Sequence, residues 1–406
     1  MTKSFAHSIW RKIPHAWRQR FFDEVTPVIA PRPSRHPEGG MPIGIAGWFS
    51  SASGLGEGAR LGYRALEASG LQPTAYDLSA AFAQNDLPGA ITTRPLEPGT
   101  GGSLIVHING PYMPYAMCML GRRQIAGRRI IGYWAWELPR LSDAWKPALS
   151  FVHEIWVPSR FTQAAIAAAT DLPVHVVPHP LPEIEAPTLR RQDLGLADDA
   201  LIVLNSFHIG SNFARKNPVA AIKAFRRSFG DRSDRILVIK MSDPGNVPLA
   251  RQELNAAIAG ASNIRVIERT LSSKDMAGLM ALSDIVISTH RSEGFGLICA
   301  EAMRLGKPVI ATGWSGNLDF MNEENSALLP YKLIAVEDRD NAFDNSNQQW
   351  ADPDVDAATH WLTRLADDPD LRRRMGARAA KDIAGYLSPA HFANTVSKLL
   401  ADGDRQ

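Results

Sequence analysis

The sequence predicts two doubly wound α/β domains facing a cleft, on three observations. The chain has 406 residues, too long for one ordinary core and suited to two domains of about 150–200 residues each. Strand-like apolar runs alternate with helical ones over most of its length, the pattern of a parallel sheet with helices on both faces. Each half also carries a glycine-rich turn between a strand and a helix, "SSASGLGEG" at 50–58 and "RSEGFG" at 291–296.

Taken in order, "PIGIAGWF" reads as a buried strand, "SSASGLGEG" as the first turn, and "ARLGYRALEAS" as a helix closed by Gly70. "PTAYDL", "SLIVHIN", "RIIGYWAW", "EIWVPS" and "VHVVPH" read as further strands, with Ser159 capping the helix of "SRFTQAAIAAAT". A Pro-rich, charged stretch then reads as the linker. The second set runs "ALIVLNSF", "NPVAAIKAFRRSF", "RILVIKM", "KDMAGLMALS", "DIVIST", the second turn, "GLICAEAMRL" and "KPVIAT". Asn217 stands at a cap position with Pro218 at the first helical position. "DAATHWLTRLADD" and "SPAHFANTVSKLLADG" are amphipathic helices. Residues 336–350 are polar and turn-rich and read as an excursion, a candidate lid. The expected organisation is an extension at 1–40, a first domain at 41–182, a linker at 183–196, a second domain at 197–385 and a final helix at 386–406.

Composition removes several classes. The 45% hydrophobic content excludes a disordered or fibrous chain, and a net charge of +2 gives no bulk attraction to nucleic acid. No apolar run approaches the roughly 20 residues of a membrane span. Cys118 and Cys299 sit in apolar stretches without metal spacing, so both are expected as buried, reduced thiols in a cytoplasmic protein. The first 22 residues carry Lys3, Arg11, Lys12, Arg18 and Arg20, interleaved with Phe5, Trp10, Trp17, Phe21 and Phe22. Two readings stand: a helix packed on its own domain, or a surface lying on anionic lipid.

Ligands of open α/β sheets bind at the carboxyl ends of the strands, where both glycine turns fall. The amides at Gly294, Phe295 and Gly296 open a helix and suit a phosphate. Arg215 and Lys216 stand before another helix and could neutralise a diphosphate; a solvated basic turn is the plainer alternative. Glu293 and Glu301 flank the second turn. As a glycosidase pair they would need carboxyls about 5–5.5 Å or 6.5–9.5 Å apart. Eight helical residues rise about 12 Å, which suits two contacts along an extended ligand better. Plain surface acids are the third option, but Leu297, Ile298, Ala300, Ala302 and Met303 surround Glu301 with apolar groups, so it should have a specific partner.

The run "EGFGLICAEA" resembles the E-x7-E motif of the family-4 retaining glycosyltransferases, whose fold is the two-domain GT-B type. "GIAGWFSSASGLGEGAR", "IWVPSRFTQ", "VVPHP", "RKNPVAAIKAF" and "GKPVIATGWSGN" fall in that family's order; residues 1–40 and 336–350 lie outside the resemblance. It implies C-terminal helices crossing back to the first domain. It also implies that Lys216, with Arg215, holds a donor diphosphate, joined by the amides of Phe295, Gly296 and Leu297. Glu301 would accept the ribose hydroxyls and Glu293 would contact the transferred sugar. Gly54, Gly56 and Gly58 would approach the phosphates from the first domain, Thr270 and Leu271 would line the base, and Ser211 and Gly294 complete the donor set. Relatives often have a separate arginine before the lysine; here the segment reads "HIGSN", leaving Arg215 and Lys216 alone or His208 as a third member. Relatives also place a first-domain histidine on the donor sugar. Here His107, Asn109, Trp134, Trp136 and Glu137 stand in that area as acceptor-side candidates.

The resulting expectation is a retaining, metal-independent hexosyltransferase with no cofactor. It would move a sugar, mannose from GDP-mannose being favoured, from a nucleotide diphosphate sugar to a glycan or lipid-linked glycan. The setting would be bacterial polysaccharide or lipopolysaccharide assembly, in the cytoplasm or on the inner face of the membrane, with residues 1–22 as the lipid contact. A non-catalytic nucleotide-sugar-binding module is the alternative from another class. An epimerase or a phosphorylase of similar architecture is the alternative enzyme, although no motif supports a pyridoxal phosphate lysine.

Overall fold

The structure, a computed structural model, describes residues 24–84, 87, 89–99, 101–181, 189–242, 247–337 and 347–403. The expectation for residues 1–22 falls outside the described residues.

The first domain is a six-stranded parallel sheet of β1 (Ile43–Gly47), β2 (Thr74–Asp77), β3 (Ser103–His107), β4 (Arg129–Tyr133), β5 (Glu154–Val157) and β6 (Val174–Val176), in the order β2-β1-β3-β4-β5-β6. β1, β3 and β5 are buried at every position, as expected of strands covered on both faces. The second domain holds β7 (Leu201–His208), β8 (Arg235–Ser242), β9 (Ile264–Ile267), β10 (Ile285–Ser288), β11 (Val309–Thr312) and β12 (Ala327–Leu329), in the order β12-β11-β10-β7-β8-β9. Every pairing in both sheets is parallel. The direction in which successive strands are added reverses between β1 and β3 in one sheet and between β7 and β10 in the other. Those two switch points are where such sheets bind ligands.

Three differences from the sequence reading bear on the site. The helix α1 (Gly54–Ala68) begins five residues earlier than expected, with the Ser53 hydroxyl accepting from the Gly56 amide. Gly54, Gly56 and Gly58 are therefore its first two turns rather than a loop. Tertiary packing overrides their low helix propensity: a Cβ at Gly56 would enter the backbone oxygens of Ser51 and Trp48, and one at Gly58 would enter the His179 ring. Secondly, Cys118 is only half-buried, whereas Cys299 is buried; both are free. Thirdly, the excursion is rooted in a hairpin of β13 (Tyr331–Ala335) and β14 (Gln349–Pro353). Val336 and Trp350 are buried in the first domain's core with Trp134, Trp136 and Trp145. Gln348 Nε2 donates to the Arg140 carbonyl at 2.7 Å, and Arg140 donates to the Asn347 carbonyl. The flanks of the excursion thus strap one domain to the other.

Further helices are α2 (Arg160–Ala167), α3 (Pro218–Phe229), α4 (Ser273–Leu282) and α5 (Leu297–Arg304); α4 and α5, with α1, line the cleft. Ser159 caps α2 as expected, accepting from the Thr162 amide. Asn217 precedes α3 in a left-handed conformation and makes no side-chain cap. The last helix, α6 (Pro389–Gly403), crosses back: Phe392, Ala393, Val396 and Leu400 are buried against α1 and the first sheet. Each large apolar side chain in that stripe stabilises the return by about 1.5–3 kcal/mol. Among the described residues, no helix is long and apolar enough to cross a membrane.

Candidate active site

A cleft of about 1340 Å³ lies between the domains, with both switch points in its walls. At the second-domain switch point, the turn after β7 carries Arg215 and Lys216, and the turn after β10 carries Glu293 and opens α5. Lys216 Nζ donates to Glu293 Oε1 at 2.5 Å, and Arg215 NH1 lies 3.2 Å from Glu293 Oε2. Burial by itself would raise the Glu293 carboxyl; the two cations outweigh it and hold it at about 2. Glu293 is therefore ionised at any ordinary pH. Burial lowers the Lys216 amine, and the Glu293 carboxylate opposes that shift.

The turn is held by neighbours from both domains. Glu293 N donates to Ser315 Oγ, and its carbonyl accepts from Gly316 N. The Gly294 carbonyl accepts from Ser159 Oγ at 2.5 Å and from Thr162 Oγ1 at 3.3 Å, so the capped end of α2 is pinned against the second-domain turn. Gly296 has φ +95°, where a side chain would be strained, and a Cβ there would lie 3.0 Å from Asn317 Cβ. Phe295, Gly296, Leu297 and Ile298 line the cleft at the start of α5, where amides lack intrahelical acceptors. Behind this turn, Arg291 ties the site to the strap. Its guanidinium bonds Asp352 Oδ1 at 3.0 and 3.1 Å and the Ala214 carbonyl at 2.7 Å, and stands 5.6 Å over the Trp350 ring.

Glu301 lines the cleft on the second turn of α5; its carbonyl accepts from Leu305 N at the helix end, but its carboxylate makes no hydrogen bond to any described residue. Burial, and then the nearby Glu57 carboxylate of α1, push its carboxyl up to about 8. No described residue supplies the partner expected for this acid. Glu57 is itself bound to buried Arg60 at 2.5 Å.

The other expected site residues divide. Gly54, Ser211, Leu271, Gly294, Asn109, Trp136, Glu137 and His208 line the cleft. Gly56 and Gly58 do not line it; they serve the packing of α1. Thr270 is exposed and does not line the cleft either. Arg215 also lines the cleft, although it is only 3% exposed. It donates to the Ser292 and Ser211 carbonyls and faces Glu137 at 3.5 Å, so it braces the turns from the cleft wall. His107 and Trp134 are core residues. His107 stacks on Tyr133 at 4.1 Å, and Trp134 packs edge-on to Trp145. They lie on opposite faces of the first sheet, Trp134 with Trp136 and Trp145 and His107 against Tyr133, because side chains at strand ends alternate between faces. Asn109 Oδ1 is occupied by the Ala135 amide and so holds the loop after β4.

Sequence reasoning missed three cleft residues. His179, in "VVPHP", is 6% exposed, with Nδ1 3.2 Å from the Tyr133 hydroxyl and its ring 5.2 Å from Phe295. Burial lowers it to about 4, so it is neutral. Glu57 was visible only as a polar residue of a turn. Lys240 lay inside an apolar strand run, where the charge itself was the signal.

Comparison with known proteins agrees with this architecture. The family model described as "Family 4 Glycosyltransferase in conflict systems" matches residues 161–391, more than half of the chain. The D-inositol 3-phosphate glycosyltransferase of Streptomyces scabiei is 30% identical over 199 residues, 48% of this chain and 40% of that protein. The Streptomyces coelicolor enzyme of the same name is 27% identical over 223 residues, 54% of this chain and 44% of that one. The chain thus spans less than half the length of these curated relatives. Anabaena HepE, solved with UDP and glucose, superposes with a TM-score of 0.62 at 14% identity over 89% of this chain and 99% of that one. Sucrose-phosphate synthase from Thermosynechococcus elongatus gives 0.62 at 16% identity over 91% and 99%. At these identities the two structures establish the fold: two facing Rossmann-like domains of the GT-B type.

Proposed function

Because the chain belongs to the family-4 glycosyltransferases of conflict systems, we propose that it transfers a sugar from a nucleoside diphosphate sugar to an acceptor hydroxyl. One observation carries the reading. At the second-domain switch point, a cation, the open amides of a helix start and an unpartnered carboxylate one turn further on face the same cleft. That series matches a diphosphate followed by a ribose. In this reading Lys216 and the α5 amides hold the diphosphate, Glu301 accepts from the ribose hydroxyls, and Glu293 orients Lys216 and meets the transferred sugar. Glu137, Asn109 and Trp136 face the acceptor side.

The reaction proposed is retaining and needs no metal. The bond from the anomeric carbon to the diphosphate oxygen breaks. The acceptor oxygen bonds the same face of that carbon, and its proton passes to the departing phosphate oxygen. Lys216 and the helix amides stabilise the charge that builds on the leaving group. Enclosure between the domains keeps water from competing with the acceptor. The acceptor class is a glycan or lipid-linked glycan of bacterial polysaccharide or lipopolysaccharide assembly. Mannose from GDP-mannose is the favoured donor, on the resemblance of "SGLGEGAR" and "SGNLDF" to such enzymes.

Calorimetry with UDP and GDP tests the binding half of the proposal. An ionised Glu301 is the better acceptor for two ribose hydroxyls, and its carboxyl titrates near 8 in the free protein. Binding at pH 7 should therefore release up to one proton, read from the dependence of the heat on the buffer's ionisation enthalpy. Glu301→Gln should abolish that release and weaken affinity about tenfold or more. Equal proton release and affinity in the two proteins would remove Glu301 from the ribose site.

We also propose that residues 1–22 dock the protein on an anionic membrane surface, on their basic and aromatic composition. Sedimentation with phosphatidylserine vesicles should then fall as salt is raised, since the attraction is screened. Deletion of the segment should abolish it. Sedimentation unchanged by the deletion would refute the docking role.

A further inference from the structure

Lys240 is a buried charge that the mechanism above does not use. It interrupts the apolar strand "RILVIKM", between buried Ile239 and Met241, and is itself only 4% exposed. Its Nζ donates to Ser242 Oγ at 3.1 Å. No carboxylate among the described residues acts on it, and burial pulls the amine down to about 8. A leucine or methionine would pack that strand position without the desolvation cost of an ammonium. Lys240 is nevertheless open to the cleft, which it helps to line.

Its place in the sheet says what it could meet there. Lys240 is in register with Ser206 of β7, and side chains in register share a face of the sheet. The turn bearing Lys216 follows β7 and α5 follows β10, so the diphosphate site lies over the β7–β10 junction. The order β10-β7-β8-β9 puts Lys240 one strand beyond, about 4.8 Å further toward β9 and α4. On that side the cleft is walled by Leu271, Met276, Ala277 and Met280. Ser272, Ser273 and Lys274 of the same segment also line the cleft. Apolar side chains with a buried cation at their foot make a slot for a flat heteroaromatic ring whose polar edge meets that cation.

We propose that Lys240 selects the donor's base, by donating to an exocyclic carbonyl oxygen on its edge. An ammonium has donors only. It is therefore matched to uracil O4 or guanine O6, and opposed by the amino groups at the same positions of cytosine and adenine. The proposal rests on the reading of the cleft as a nucleotide-sugar site and adds to it a keto-base preference set by one side chain.

The test is calorimetric titration of the full chain with UDP, CDP, GDP and ADP, and with inorganic pyrophosphate. UDP against CDP and GDP against ADP each hold ring size constant while exchanging carbonyl for amine. The wild type should bind the keto member of each pair about 10–100-fold more tightly, the usual range for a hydrogen bond to a charged group. Lys240→Met, close in volume and suited to the apolar strand, should bring both ratios to within about threefold and leave pyrophosphate affinity unchanged. Lys240→Gln, whose amide can donate or accept, should also flatten the ratios, and it serves should the methionine variant fail to fold. Equal loss of all four nucleotides and of pyrophosphate would make Lys240 a phosphate ligand and overturn the proposal. So would a wild type without the preference, or variants that keep it. A wild type that binds none of the four nucleotides would overturn the nucleotide-sugar reading as well, and that outcome is distinct from the others.

Discussion

Lys216→Ala is expected to lower kcat by about 10²–10³-fold, the usual cost of removing one preorganised group from a site where charge develops. The ammonium stands at the switch point of the second sheet, 2.5 Å from Glu293 Oε1 and beside the open start of α5. In the proposed reaction negative charge collects on the departing diphosphate, and the low dielectric of the cleft makes a fixed cation worth more there than in water. The fold should survive. The Lys216 side chain keeps 18% of its exposure, and Glu293 retains Arg215 as a counter-ion. Melting within a few degrees of wild type together with the kinetic loss is therefore the expected pair of results. A near-normal kcat would take Lys216 out of the chemistry.

Glu293→Gln should separate turnover from binding. Its carboxylate neutralises Lys216 and Arg215 in the free protein. Replacing it with a neutral amide leaves the site more positive, so nucleoside diphosphate should bind as tightly as in wild type or more so. The reacting sugar loses a contact that orients it and offsets positive charge at the anomeric carbon, and Lys216 loses its tether. A kcat lower by about 10²-fold with an unchanged or smaller dissociation constant for the free nucleotide is the expected signature. Glutamine is the suitable replacement because it keeps the side chain's volume and can still accept from Lys216. Alanine would strand the buried Arg215 with only Glu137, at a cost of about 3–5 kcal/mol if that pairing fails to compensate. Loss of nucleotide affinity in Glu293→Gln, with turnover of the bound donor intact, would reverse the assigned roles of the two glutamates.

Much of this was legible in the sequence, because the relevant signals are local. The alternation of buried strands with capped helices gave both sheets, and the eight-residue step from Glu293 to Glu301 spans a loop and one turn of helix. The positions where the reading failed depend on what arrives from far along the chain. Gly54, Gly56 and Gly58 read as a loop, since glycine disfavours helices; they are helical because Ser53 caps them and His179, more than 100 residues later, fills the space above Gly58. Arg215 and Lys216 both line the cleft, but adjacency in the sequence does not announce that the Arg215 guanidinium also holds the Ser211 and Ser292 carbonyls. His107 and Trp134 were set by strand register into the core. No periodicity announces that Trp350, on a hairpin of the second domain, completes the core of the first.

The central claim is that the cleft binds and cleaves a nucleoside diphosphate sugar. It is tested most directly by incubating the full chain with a panel of UDP- and GDP-sugars, GDP-mannose among them, and measuring free nucleoside diphosphate over time, beside Lys216→Ala. The account predicts release from at least one donor, faster with a glycan acceptor present and lower by at least tenfold in the variant. A wild type that releases no nucleoside diphosphate from any donor, yet hydrolyses an aryl glycoside without nucleotide, would contradict it and return Glu293 and Glu301 to the role of a glycosidase pair.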